Sequence, residues 1–167
     1  YASASLSFPA LEPAREKVLD AVGAVSESDD AATVLGVSPN LVEEIARNTR
    51  LRTAPAVPVS ALYTGVLYDA LDALSLPDEA LSRLAVGSAL FGVVRAGDLI
   101  PRYRVSGGSK VGGKTMKAWW GTSVSDVLAQ EDFVVDLRSG AYQQLGPVPG
   151  AVTVRVEQAD TGKVVSH

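Results

Sequence analysis

The stretch Gly108-Ser109-Lys110-Val111-Gly112-Gly113-Lys114-Thr115 satisfies the pattern G-x-x-x-x-G-K-(S/T). In that pattern backbone amides wrap a phosphate, the lysine neutralises it and the hydroxyl holds magnesium. Phe133-Val134-Val135-Asp136 has the form of the apolar strand and metal-orienting aspartate that accompany such a loop. Position in the chain argues against a nucleotide hydrolase: about two thirds of the residues precede the loop, and only 31 follow Asp136. A phosphate-binding loop without hydrolysis is the expectation. Basic side chains gather around it. Arg95, Arg102, Arg104, Lys110, Lys114 and Lys117 stand against Asp98 alone, and Arg47, Arg50 and Arg52 form a second cluster. The 167-residue chain has 15 Lys+Arg, 19 Asp+Glu and a net charge of −4. That balance excludes a general basic coat for nucleic acid or anionic lipid. The local reversal implies an anionic ligand held at one face.

Other catalytic chemistry is thin. Cysteine is absent and the single histidine is His167, the last residue. Thiolate nucleophiles, disulfides, a Ser-His-Asp relay and a histidine-based zinc site therefore lack their parts. A reducing cytoplasm is the expected compartment, and no metal, cofactor or membrane span is expected. Gly87-Ser88-Ala89-Leu90-Phe91-Gly92 misses the G-x-S-x-G nucleophile elbow by spacing, and no internal histidine is present to activate Ser88. Asp69 and Asp72 share a helical face but read as solvated carboxylates. Trp119 and Trp120, about 100° apart on a helix, direct one ring to the core and the other outward, where it could stack on a base.

These residues need a scaffold. Ala14, Val18, Val22 and Val25 space an amphipathic helix over 12–26. A short helix ending at Gly36 and another opening at Ser38-Pro39 and running to about Asn48 complete a helical N-terminal part, about 10–52. Residues 54–60, with two prolines, read as an extended linker, and 66–74 and 78–84 as helical. The apolar run 84–94 predicts a fully buried central strand. Further strands are expected over 100–105 and 133–135, a helix over 116–128, and a hairpin of 152–156 with 163–166 across Asp160-Thr161-Gly162. The prediction is one mixed α/β domain over 1–167, with a central mixed sheet covered by helices and its sheet-containing part at about 55–167. A start without methionine and an end inside a predicted strand suggest sequence missing at both ends.

Tyr63-Thr64-Gly65-Val66-Leu67-Tyr68 is followed by Ser88-Ala89-Leu90-Phe91-Gly92-Val93-Val94-Arg95, Asp98 and Tyr103-Arg104. A helical tryptophan, Trp119 or Trp120, and Leu137-Arg138-Ser139-Gly140-Ala141-Tyr142 complete the series. In order and spacing this resembles the YaaA family of peroxide-stress proteins, in an actinobacterial-type branch. Ala96 stands where the family usually has the proline of an Arg-Pro pair. Lysine-bearing elements that family members carry before and after this stretch are absent.

The resemblance implies a cytoplasmic protein that limits iron-dependent oxidative damage, with a mixed α/β fold, DNA-binding ability and a helix-hairpin-helix near its start. Residues 31–42 would form that hairpin, with Gly36 allowing the tight turn and amides near Ser38 available to phosphate. The family motifs would place Tyr63, Thr64, Gly65, Ser88, Asp98, Tyr103, Trp119, Ser139 and Tyr142 at a pocket. Two partners remain open. One is duplex DNA, bound without sequence preference by a cleft of Arg95, Arg102, Arg104, Lys110, Lys114 and Lys117, extended by Arg47, Arg50 and Arg52. The other is a small phosphorylated or nucleotide-like ligand on which Tyr63, Ser88, Arg95, Arg104 and Tyr142 converge. A binding role is favoured over an enzymatic one, and a monomer is expected.

Overall fold

The computed structural model describes residues 5–154. Helix α1 (Glu12–Ser26) turns Arg15, Val18, Leu19, Val22 and Ser26 inward, a spacing of three and four that puts one stripe on the core. Helix α2 (Ala31–Leu35) stops at Gly36, whose left-handed φ of 66° lets its amide turn back to the carbonyls of Ala32 and Thr33. Ser38 Oγ accepts the Asn40 amide at 3.4 Å and starts a 3-10 turn that leads into α3 (Val42–Asn48).

The predicted linker 54–60 instead carries strand β1 (Ala56–Pro58) and the first residues of α4 (Val59–Leu62). Two short helices follow, α5 (Val66–Leu71) and α6 (Asp78–Arg83), both without buried residues. The apolar run 84–94 is not one strand. It folds as a hairpin of β2 (Ala85–Ser88) and β3 (Gly92–Arg95), antiparallel, with Ser88 opposite Gly92 and fully buried Ala89, Leu90 and Phe91 at the turn. Gly92 decides this. Its φ is +77°, and a β-carbon there would stand 2.8 Å from Trp120 Cζ3. Only glycine lets the chain reverse so close to that ring.

Strand β4 (Leu99–Pro101) pairs antiparallel with β1, Val57 opposite Ile100. Residues 102–109 are irregular. The phosphate-loop pattern forms another tight hairpin, β5 (Lys110–Val111) and β6 (Lys114–Thr115), turned by Gly112 and Gly113 at φ 56° and 75°. Two consecutive positive φ values are what a two-residue hairpin turn demands. The predicted helix 116–128 divides at Gly121 into α7 (Met116–Trp120) and α8 (Ser123–Leu128). Phe133, predicted in a buried strand, is 73% exposed. The strand there is β7 (Val135–Asp136), followed by α9 (Gly140–Gln143) and by β8 (Val152–Thr153), which runs parallel to β7. The return arm predicted at 163–166 lies outside the described residues.

The fold is thus mixed α and β, as predicted, with its described strands in four two-stranded units rather than one central sheet. The continuous element is the core. Leu11, Val18 and Val22 pack with Leu90, Phe91, Val94, Ile100, Met116, Trp120 and Val124, all at most 1% exposed. Buried Arg15 stitches it together, donating from Nε to the Phe91 carbonyl at 3.0 Å and from Nη2 to those of Ser7 and Val93 at 2.7 and 2.9 Å. Trp120 donates to the Ala89 carbonyl at 2.8 Å, and half-buried Trp119 to that of Val111 at 3.0 Å. No described helix is long and apolar enough to cross a membrane.

Candidate functional site

Two constellations stand out, and the segment Arg102-Tyr103-Arg104 belongs to both. The first is a cluster of hydroxyls. Ser88, at the end of β2, accepts the Phe91 amide at 3.0 Å and shares a 2.7 Å hydrogen bond with Tyr103 Oη, which shares another of 2.7 Å with Tyr63 Oη. The Tyr103 ring meets Phe91 and Tyr63 edge-on, and Tyr68 stacks on Tyr63 with centroids 5.4 Å apart. Burial pushes the Tyr63 hydroxyl up to about 12, against the opposing effect of its bonds to Ser88 and Tyr103. Burial also drives Tyr103 well above its ordinary value, with the nearby Tyr63 adding to it. Both stay protonated at neutral pH. Tyr142, from α9, lies close enough to act electrostatically on Tyr63, Tyr68 and Tyr103.

Arg138 holds α9 in place. Its guanidinium donates to both Asp136 carboxylate oxygens at 2.8 Å and to the Gly146 carbonyl at 2.8 Å. Burial works to raise the Asp136 pKa, but the Arg138 hydrogen bonds outweigh it and the carboxyl sits below its ordinary range. The Arg138 side chain crosses β2 so closely that a β-carbon on Gly87 would stand 2.8 Å from its Cδ. The predicted metal-orienting aspartate is therefore an arginine anchor.

The second constellation is a groove of about 820 Å³ between α3 with its following turn and the β1–β4 pair. Arg47, Arg50 and Arg102 line it together with Glu43, over a floor that includes Ala46, Pro55 and Val57. Among the described residues no carboxylate forms an ion pair with any of these three arginines. The groove so joins one arginine of the long basic stretch to two of the earlier cluster.

The other predicted cations are not gathered there. Arg52 is clasped by Glu16 and Asp20, both at 2.6 Å, and these hydrogen bonds raise its pKa. Arg95 pairs with Glu131 and lies over the Phe8 ring at 4.8 Å. Arg104 faces Glu44 at 3.8 Å, and Lys114 sits 4.5 Å above Trp119. Lys110 and Lys117 are exposed on β5 and α7, and neither lines the groove. Lys114 is paired across the hairpin with Val111, so the motif forms a tight β-hairpin and not the strand–loop–helix that cradles a nucleotide.

Of the family-motif residues, Tyr63, Ser88 and Tyr103 meet directly. Asp98 serves elsewhere, accepting from the Ser7 amide and hydroxyl and from the Arg95 amide. Thr64, Gly65 and Ser139 are exposed. Sequence reading missed three buried or half-buried polar side chains: Arg15 and Arg138, which fix the backbone around the hydroxyl cluster, and Asn48, which fixes Arg104. For Arg138 a signal existed in Asp136-x-Arg138, a spacing that lets one side chain fold back on the other.

The chain matches the family described as "Peroxide stress protein YaaA" over residues 2–167. It belongs to the YaaA family. A UPF0246 protein of Corynebacterium efficiens is 58% identical over 172 residues, covering 98% of this chain and 70% of that protein. One from Corynebacterium glutamicum is 54% identical, covering 97% and 69%, and one from Streptomyces coelicolor is 46% identical, covering 98% and 68%. The chain thus spans about 70% of the length of these relatives.

Proposed function

We propose that this YaaA-family chain acts in peroxide stress by holding nucleic acid through its phosphate backbone, without reading sequence. On this reading Arg47, Arg50 and Arg102 contact successive phosphates. The turn from α2 through Gly36 and Ser38 into α3 serves as a helix-hairpin-helix beside them. Protection from iron-driven oxidation follows from the covered DNA rather than from a bound metal. The observation that carries the reading is the groove lined by three arginines, none of them ion-paired with a carboxylate among the described residues. Guanidinium groups left unneutralised on an acidic protein create a local positive field and suit bidentate phosphate contact. On this reading the hydroxyl cluster, neutral and internally bonded, supports the segment that carries Arg102.

A nucleotide-sized anion in the same groove is the second reading, favoured by a volume within the range of small-ligand pockets. Fluorescence anisotropy separates the two. Two labelled duplexes of unrelated sequence should bind equally and weaken together as salt rises, since displaced counterions drive backbone binding. Free nucleotides should compete poorly. Tight nucleotide binding with no duplex binding would sink the DNA reading.

A further inference from the structure

Asn48 ends α3 and is 2% exposed, an amide with every hydrogen-bonding atom committed. Its Oδ1 accepts the Arg104 amide at 2.8 Å, and its Nδ2 donates to the Arg104 carbonyl at 2.8 Å and to Ser26 Oγ at 3.1 Å. A side-chain amide that takes both the N–H and the C=O of one residue imitates a strand partner. It fixes that residue's backbone in position and in rotation. Residues 102–109 lie in no strand, so no regular ladder does this for Arg104.

The consequence reaches the groove. Arg47 precedes Asn48 and Arg50 follows it by two residues, so the clamp ties the wall carrying those arginines to the segment carrying Arg102. It also sets Tyr103, between the two arginines, against Ser88 and Tyr63. We infer that Asn48 is a positioning residue for polyanion binding: by gripping the Arg104 peptide it holds Arg102 in register with Arg47 and Arg50. This rests on the backbone-binding reading given above.

The test uses a charge-neutral substitution. Each phosphate neutralised adds about 0.9 to the slope of log affinity against log salt. Asn48→Ala leaves net charge unchanged, yet its slope for a labelled 20-base-pair duplex should be shallower by about 0.9, as in Arg102→Ala. The double variant should match Arg102→Ala alone. A purely structural role would lower thermal stability and leave the slope at the wild-type value, and that result would overturn the inference. Should Asn48→Ala fail to fold by circular dichroism, Asn48→Gln keeps the amide but displaces it by one methylene. A shallower slope for this variant supports the inference and a wild-type slope overturns it. If the wild-type chain shows no salt-dependent duplex binding, the failure belongs to the backbone-binding reading and not to Asn48.

Discussion

The hydroxyl cluster and the arginine groove are neighbours along one short segment, and they differ in what they leave unsatisfied. At the cluster, Ser88, Tyr103 and Tyr63 bond to one another and to the Phe91 amide. At the groove, three guanidinium groups face solvent without an ion-pair partner among the described residues. The cluster holds the richer set of family-motif residues, whereas the groove holds charge available to a ligand. On the proposed function, binding belongs to the groove and positioning to the cluster. Substitutions in the two regions should separate stability from affinity.

The largest effect on stability should come from Arg15→Ala, which strips the carbonyls of Ser7, Phe91 and Val93 of a charged donor at a fully buried site. A loss of about 3–5 kcal/mol is expected in urea unfolding, since each carbonyl left unpaired costs about 1–3 kcal/mol. Ser88→Ala should cost less, about 1–3 kcal/mol, for the unpaired Phe91 amide. Its salt slope for duplex binding should remain that of the wild type, and a changed slope would erase the division between the regions.

Alkaline pH probes the cluster. Tyr63 has its pKa raised in the folded state, so the folded chain holds that proton more tightly than the unfolded one. The resulting stability is fully present below the ordinary tyrosine value near 10 and is lost as pH climbs towards about 12. Absorbance of phenolate should show Tyr63 and Tyr103 titrating late and together with unfolding. Phenolate formation by all five tyrosines near pH 10, before unfolding, would mean the cluster is open to water.

The smallest effects on stability belong to exposed arginines. Arg47→Ala and Arg50→Ala should each change stability by less than about 0.5 kcal/mol while making the salt slope shallower by about 0.9. Arg52→Ala is the internal control, since Glu16 and Asp20 already neutralise that side chain. Its stability should fall by at most about 1 kcal/mol, with the slope unchanged. A slope shallower by a full contact would return Arg52 to the binding surface.

Much of this was legible in sequence, and the failures have physical causes. Periodicity located α1, because a surface helix must bury one stripe, and the Gly36-Ser38 pairing located the break between α2 and α3. The run 84–94 misled because a uniformly apolar segment reads alike as a buried strand and a buried hairpin. Only the positive φ at Gly92, forced by the approach of Trp120, distinguishes them. The phosphate-loop pattern misled because glycine pairs serve tight hairpins as readily as anion nests. The basic stretch was visible as charge, but its partners were not. Glu131 on Arg95, Glu44 on Arg104 and Glu16 on Arg52 are long-range neighbours that only folding reveals. Asn48 carried no signal, since a single asparagine at a helix end is common, and its bonds to Arg104 span 56 residues.

The most direct measurement is the salt dependence of duplex binding for the wild type and for the triple variant Arg47→Ala, Arg50→Ala, Arg102→Ala, with circular dichroism confirming equal folding. Wild-type affinity should fall steeply with salt, and the triple variant's slope should be shallower by about 2.7, three contacts at about 0.9 each. Equal slopes for the two proteins would contradict it and place any nucleic-acid binding outside the groove.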